Sequence, residues 1–345
     1  MAIFLLLPVM HINHNEKSDT ENRALATRPN IIINGKINNK YGTEYDNWFS
    51  DRFFGRDILI KLYGTKSGNK DSAKVLVEKD NWLFYKSENS LRNFANMDTL
   101  SNEQLQNTAT YLSQIKNWCE KHNKKFLVVI APDKNKIYGE HITKIIKKNP
   151  DSQSRAIQLT NYLKSNTDVN VIYLYDQMIA NKKNGLLYMK NDTHWNDFGA
   201  YIGYTEIMKA LKLEPIKYKT ETLKTNPHGD LTNMAPGVPL DNETIYKFPD
   251  FPDNAVCNHD FSSTEDIICT NKKYTISKRM FTLRDSFSVA LGRYYANTFQ
   301  KIHYRSGYGL SSKDLDYIKN DFDIVILEIV ERNIHSLSHH KFPKD

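Results

Sequence analysis

The stretch "FTLRDSFSVALGRYY", residues 281–295, changes its period partway along. "RMFTL" (279–283) reads as a strand, whereas Phe287, Ala290, Leu291 and Tyr294 recur at helical spacing. Ser286 therefore falls in a tight strand-to-helix turn, with free backbone N–H groups of the new helix behind it. Those groups and the helix dipole favour negative charge, which is what a tetrahedral acyl intermediate develops. A serine N-cap is a common occupant of such a turn and, on Ser286 alone, the better reading. The stretch is not G-x-S-x-G, so the nucleophile elbow of α/β-hydrolases is not matched.

The same alternation extends to both sides. Upstream, a helix at 101–122 leads to the apolar run "KFLVVIAP" (125–132), which reads as a buried parallel strand. A helix at about 151–165, the strand "NVIYLYD" (170–176) and a helix at 197–211 follow. Downstream, a helix at 287–298, the strand "KIHYR" (301–305), a helix at 312–320 and the strand "FDIVILEIV" (322–330) close the pattern. The fold class this predicts is α/β, a parallel sheet with helices on both faces and sites at the carboxyl ends of its strands. Nearer the N-terminus, "YDNWFSDRFFGRDILIKLYGT" (45–65) has apolar residues at helical spacing and "DNWLFY" (80–85) reads as a short strand. Residues 212–278, rich in Pro, Asn, Asp and Thr, break the alternation and read as a long insertion or subdomain.

Strand ends are therefore the places to look for chemistry, and "YMKNDTHWNDFGAY" (188–201) is one of them. His194 falls after the strand-like "GLLYM" (185–189) and just before a helix, with Asp192 two residues away. A serine hydroxyl is a poor nucleophile until a base takes its proton, and histidine titrates in the right range to do so. A carboxylate beside it fixes the imidazole tautomer and stabilises the imidazolium that forms. Alone, D-x-H is also the pattern of a surface loop or a structural hydrogen bond. As metal ligands the pair lacks a third partner at recognisable spacing, and no metal is expected.

Bulk properties narrow the classes. With 40% hydrophobic and 25% charged residues, the 345-residue chain is globular. A net charge of +7, spread over many lysines, suits anionic partners weakly. No aromatic-interleaved basic motif or zinc spacing argues for nucleic acid, which is not expected as a partner. Cys119, Cys257 and Cys269 form no C-x-x-C pair. Cys257 and Cys269 flank a polar loop, as a local disulfide in an oxidising compartment or as two reduced thiols. The apolar run Ala2–Met10 is too short to span a membrane and lacks the marks of a signal peptide. It is read either as a short buried segment or, by its abrupt change to "HINHNEKSDTENR", as the tail of a membrane anchor, and the second is preferred here.

In combination, D-x-H-W at a loop-to-helix junction and D-S-F at a strand-to-helix junction resemble the SGNH/GDSL hydrolase superfamily in a circularly permuted form. The histidine block precedes the serine block, and the acid stands two residues before the histidine. That order is similar to the alginate O-acetyltransferase-like family, which acetylates bacterial surface polysaccharides. The resemblance runs through "ENRALATRP" (21–29), residues 45–63, "DNWLFY", "APDKNKIY" (131–138), "DTHWNDFGAY", "HGDLTNM" (228–234), "LRDSFS" and "EIVERN". The chain ends shortly after "VERN", so it resembles the short type without a carbohydrate-binding module.

The resemblance implies Ser286 as nucleophile, His194 as base and Asp192 as orienting carboxylate, with the Ser286 N–H as one oxyanion donor. Arg332 and Asn333, after the last strand, stand where the superfamily places an oxyanion asparagine. Arg284 replaces the superfamily glycine, and contact with an anionic group is its alternative use. Lys134 and Tyr138 are read as lining an acceptor groove or as structural, the tyrosine packed and the lysine solvated. Trp195 is read as a platform for a sugar ring or, the commoner use, as an anchor at the start of the helix. The expected organisation is an anchor remnant and leader in 1–20, an N-terminal segment in 21–99, and a permuted three-layer α/β/α domain in 100–345 containing the insertion. The implied function is transfer of acetyl through an acetyl-serine to a polysaccharide hydroxyl, with no cofactor. The implied setting is the periplasm, with an inner-membrane anchor and a membrane-bound O-acyltransferase partner. The rivals are a carbohydrate acetylesterase using the same triad and a non-catalytic polysaccharide-binding scaffold.

Overall fold

The computed structural model describes residues 26–33, 35–38, 41, 44, 45, 48, 74–143, 146 and 148–343. The expected anchor remnant and all but a few positions of the expected helix at 45–65 lie outside the described residues. After a short antiparallel pair, Ile32–Ile33 with Lys36–Ile37, the strands from residue 74 onward are, in chain order, β1 (Val75–Val77), β2 (Leu83–Tyr85), β3 (Lys125–Ala131), β4 (Val171–Tyr173), β5 (Glu221–Thr225), β6 (Glu243–Lys247), β7 (Ala255–Cys257), β8 (Ile267–Asn271), β9 (Ile276–Arg284), β10 (Phe299–Ser306) and β11 (Ile324–Val330). The longer helices are α1 (Asn102–Lys121), α2 (Arg155–Asn166), α3 (Tyr175–Asn181), α4 (Asp197–Ala210), α5 (Ser288–Thr298) and α6 (Ser312–Asp321).

Apolar runs without polar interruption become the centre of the sheet. β3 is buried from Phe126 onward and β11 along its whole length, as parallel strands covered on both faces must be. The seven strands lie in the order β4-β3-β11-β9-β10-β8-β7. β4 to β10 pair in parallel, and β8 and β7 add an antiparallel edge. Alternate residues of β3 enter opposite cores. Leu127, Val129 and Ala131 pack with α3, α4 and α5, whereas Phe126, Val128 and Ile130 pack with α1, α2 and the Ile318 side of α6. The result is the expected three-layer α/β/α arrangement.

Local chemistry sets the helix starts. Ser101 and Gln104 cap α1 reciprocally, Ser311 and Asp314 do the same for α6, and Ser154 caps α2. Three expectations need correction. The strand expected at 170–176 stops at Tyr173, because Tyr175 already begins α3. The helix expected from 151 begins at Arg155, behind its serine cap. "GLLYM" is no strand; it belongs to a loop closed by a single bridge, Tyr188 to Trp195.

The segment 212–278 has two parts. β5 and β6 form a separate antiparallel pair, while β7 and β8 extend the main sheet. Cys257 and Cys269 are register partners across β7 and β8 and are disulfide-bonded. Cys119 is a buried free thiol. The β1–β2 pair packs on the domain by alternation: Leu76, Trp82 and Phe84 join the main core, and Val75, Val77 and Leu83 pack with Leu231 and Ala235. Among the described residues, no helix is long and apolar enough to cross a membrane.

Candidate active site

β9 delivers Ser286 to the carboxyl end of the sheet, and the residue before it fixes the turn. Asp285 accepts hydrogen bonds from the Val330 N–H (2.7 Å), the Tyr308 hydroxyl (2.8 Å) and the Phe287 N–H (2.9 Å). Ser288 donates to the buried Glu328 carboxylate at 2.8 Å, one residue pair further down β11. Ser286 itself is exposed, and its backbone N–H has no acceptor among the described residues.

The histidine loop arrives from the other side of the strand ends. Asn196 caps α4 by accepting from the Phe198 and Gly199 N–H groups, which sets where the loop must stop. Trp195, 3% exposed, donates its indole N–H to the Phe287 carbonyl at 2.9 Å. It pins the two halves of the site together and is not a sugar platform; its size and single polar atom suit that buried role. Lys134 and Tyr138 brace the loop from behind. The Lys134 ammonium donates to the Lys190 and Asp192 carbonyls (2.6 and 2.9 Å), and the Leu187 N–H donates to the Tyr138 hydroxyl at 3.0 Å. Both are buried, so neither lines a groove, and the lysine is not solvated.

These ties bring His194 to Ser286. Nε2 lies 2.8 Å from the serine Oγ, and Nδ1 lies 3.0 Å from Asp192 Oδ1. Ionised carboxylate oxygens only accept, so Nδ1 carries the proton and the Nε2 lone pair faces the serine hydroxyl. Asp192 also accepts the His194 backbone N–H at 2.8 Å, which makes the loop itself orient the carboxylate. Burial alone would raise the Asp192 carboxyl, but the hydrogen bond and charge of His194, with Lys134 behind, hold it down at about 2. For His194, burial acts to lower the pKa, and the hydrogen bond and charge of Asp192 with the charge of Asp230 raise it above 6.5. Burial lowers Lys134 to about 7 against the pull of Asp192, Asp230 and Glu243.

Sequence reasoning missed Asp230, whose Oδ2 lies 3.6 Å from His194 Nδ1. Its signal was the fragment "HGDLTNM", which stood out in the insertion without a role. Asp192, His194 and Asp230 each present a ligand-capable atom, all within 4.8 Å of one another. In the hydrogen-bonded arrangement Nδ1 is protonated and Nε2 is committed to Ser286, which leaves His194 no free lone pair for a metal.

The remaining candidates are spread around this centre. Arg332 is buried; it binds Asp133 (2.5 Å) and Glu88 (3.1 Å), and its guanidinium lies 5.3 Å from the Phe287 ring centroid. The Phe287 and His194 ring centroids are 5.0 Å apart. Asn333 donates to the Tyr308 hydroxyl at 3.4 Å and so touches the chain that ends on Asp285, not Ser286 itself. Arg284 donates to the Ser263 carbonyl at 2.6 Å, in the loop between β7 and β8.

Comparisons with known proteins agree with this architecture. In sequence the chain is 28% identical over 224 residues to the probable alginate O-acetylase AlgJ of Pseudomonas syringae pv. tomato, covering 61% of this chain and 53% of that one. It is 25% identical over 224 residues to the protein of the same description from Pseudomonas putida, covering 62% and 55%. The chain thus spans about half the length of the curated relatives it matches. In structure it is similar to a DHHW family protein of Eubacterium siraeum, with a TM-score of 0.55, 14% identity, and 79% and 98% of the two chains covered. Bacillus cereus PatB1 with a sulfonyl adduct gives a TM-score of 0.55 at 19% identity, covering 75% and 95%. At these identities the likeness is one of fold, the SGNH hydrolase-like α/β fold. A family model described as "SGNH hydrolase-like domain, acetyltransferase AlgX" matches residues 75–277, a span that includes Asp192, His194 and Asp230 and stops short of Ser286. Because that match takes in more than half of the 345 residues, the chain belongs to the family of AlgX-type SGNH hydrolase-like domains.

Proposed function

We propose that this chain is an O-acetyltransferase that carries acetyl on Ser286 and delivers it to a hydroxyl of a bacterial surface or exported polysaccharide. The observation that carries the reading is the hydrogen-bonded series Asp192–His194–Ser286, assembled at the carboxyl ends of the strands from segments about 90 residues apart in sequence. Relatives named as alginate O-acetylases support the acyl group and the polymer class.

In the first half-reaction the Ser286 Oγ attacks the carbonyl carbon of an acetyl ester or thioester donor while His194 Nε2 takes the hydroxyl proton. The tetrahedral intermediate collapses, the bond to the leaving group breaks, and the imidazolium returns its proton to that group. In the second half a sugar hydroxyl loses its proton to His194, attacks the acetyl-serine, and leaves as the acetyl ester with Ser286 restored. The free Ser286 N–H is one oxyanion donor. The loop after β11 is the candidate source of a second, from Arg332, which is held by Asp133 and Glu88, or Asn333, whose amide donates to Tyr308.

The disulfide of Cys257 and Cys269 supports an oxidising, periplasmic setting. In that setting we infer an inner-membrane anchor and a membrane-bound O-acyltransferase partner that supplies acetyl groups. The test is an acetyl-transfer assay with an activated acetate, with and without surface-type oligosaccharides, following protein and sugar by mass spectrometry. Acetyl on the sugar is expected from the wild type and should fall by about 10³-fold or more in Ser286→Ala and His194→Ala. Acetate release without sugar product would make the protein an esterase. Equal signals from wild type and Ser286→Ala would reduce it to a binding scaffold.

A further inference from the structure

The imidazole faces a second carboxylate that none of the roles above uses. Asp230 Oδ2 lies 3.6 Å from His194 Nδ1 and accepts the Thr193 hydroxyl proton at 2.5 Å, while Oδ1 accepts the Thr193 N–H at 2.8 Å. The Thr193 Oγ lies 3.2 Å from His194 Nδ1. Since that hydroxyl gives its proton to Asp230, it turns a lone pair toward the ring. The Nδ1 proton therefore meets two acceptors, Asp192 directly and Thr193 with Asp230 behind it.

The placement of Asp230 is built into the backbone. The Leu231 N–H donates to the Asn191 carbonyl at 3.0 Å, and the Asn191 side-chain amide donates to the Pro227 carbonyl at 2.7 Å. The Asp230 N–H points at Asp192 Oδ2 at 3.4 Å. A Cβ on Gly229 would collide with the Asn191 carbonyl, so a glycine is what lets the two segments lie this close. The charged groups facing His194 are Asp192 on its own loop, Asp230 from the insertion and Arg332 from the loop after β11, with Lys134 behind Asp192. Asp192 and Asp230 are the carboxylates among them.

We propose that Asp230 is a positioning residue for the acyl transfer, holding the His194 ring through Thr193 and sharing with Asp192 the stabilisation of the imidazolium. This deepens the function proposed above and rests on it, since it assigns His194 the work of the base. The charge of Asp230 already contributes to keeping His194 above its ordinary value. Burial and the charge of Asp192 raise the Asp230 carboxyl in turn, so on acidification Asp230 gains its proton before Asp192 does.

The experiment is NMR titration of the histidine rings in the full chain, beside the pH profile of kcat/KM. Asp230→Asn keeps the shape and removes the charge. Its His194 midpoint should fall by about one pH unit, and the acidic limb of kcat/KM should move down with it. Turnover at neutral pH should drop about tenfold, with KM for the acyl donor little changed. Asp230→Glu should restore part of the midpoint. Thr193→Val should shift the midpoint in the same direction as Asp230→Asn, and Thr193→Ser should not. A folded Asp230→Asn protein whose His194 titrates as in the wild type overturns the proposal, and if that variant does not fold, an unshifted Thr193→Val does the same. The titration needs no turnover, so a failure of the acyl-transfer reading, seen as full activity in Ser286→Ala, is separable from a failure of the Asp230 assignment.

Discussion

Ser286 stands at the end of a strand paired in parallel on both sides, from Met280 to Leu283 with β11 and on to Arg284 with β10. His194 stands in a loop whose ladder is one bridge, Tyr188 to Trp195. Ser286, the proposed nucleophile, is thus placed by strand pairing that many sequences would make, with the Asp285 side chain next to it tying the turn to β11. His194, the proposed base, is positioned by individual side chains from other segments: Lys134 and Tyr138 after β3, and Asp230 and Glu243, both in the insertion. Glu243, for instance, receives the Lys190 N–H at 3.1 Å. Damage behind the serine should therefore cost stability and activity together, whereas damage behind the histidine should cost activity first.

Asp285→Ala is the strongest way to break that contrast. It leaves the Val330 N–H, the Phe287 N–H and the Tyr308 hydroxyl without their acceptor. At about 1–3 kcal/mol for each buried group left unpaired, an unfolding free energy lower by about 4 kcal/mol is expected. Turnover should fall by about 10²-fold, because the turn carrying Ser286 loses its tie to β11. Urea unfolding and turnover measured on the same preparation check both. Lost activity at unchanged stability would mean that the serine turn is held no differently from the histidine loop.

Lys134→Met sharpens the other side of the comparison. Two carbonyls lose their donor, but the cost of burying an ammonium disappears with it, so stability should change by only about 1 kcal/mol. Turnover should still fall about tenfold as the loop loosens. The pH dependence supplies a signature. Lys134 binds its proton with a pKa of about 7 in the folded chain against 10.5 when unperturbed. Between those values the unfolded chain holds more protons, so the wild-type unfolding free energy should climb with pH relative to Lys134→Met across that window. Parallel curves from pH 7 to 10 would show that the amine is not buried as described.

The contrast also explains what was legible in the sequence. Buried parallel strands announce themselves as apolar runs, so β3, β9 and β11 could be read within a few residues. Ser286 was legible as a candidate because it follows a strand end, and Asp192 and His194 because D-x-H directly precedes a helix start, although the strand read before them is a loop. Asp230 was not, because it lies in a segment with no period and reaches the site only through contacts at long sequence separation. The role of Lys134 was not legible, for a related reason. Composition assigns a lysine to solvent, and only packing reveals the prop; Trp195 is the helix-start anchor that its commoner use suggests, tied here to the Phe287 carbonyl. The early end of β4 has a local cause that alternation hides: after Tyr173 the Leu174 N–H still bonds to the Ile130 carbonyl, but its carbonyl already accepts from Met178.

The smallest effect on turnover is expected at the far edge of the sheet. The Cys257–Cys269 disulfide closes a short loop whose Ser263 carbonyl takes a hydrogen bond from Arg284, two residues before Ser286. Phe261 of the same loop packs so close to Gly292 on α5 that a Cβ there would strike its ring. The loop therefore touches the serine half of the site, the half held by backbone pairing. Its own ends are also joined without the disulfide: the Ile268 N–H donates to Asn258 Oδ1 at 2.7 Å, and the Asn258 N–H donates to the Ile268 carbonyl at 3.2 Å. A Cys257→Ser, Cys269→Ser double variant should lose about 2–3 kcal/mol of unfolding free energy through the freer unfolded chain. Its turnover should stay within about twofold of wild type, since sheet register continues to place Ser286. A drop in turnover as large as that of Lys134→Met would mean that Arg284 transmits loop order to Ser286, and that strand pairing with the Asp285 tie is not enough to place the serine.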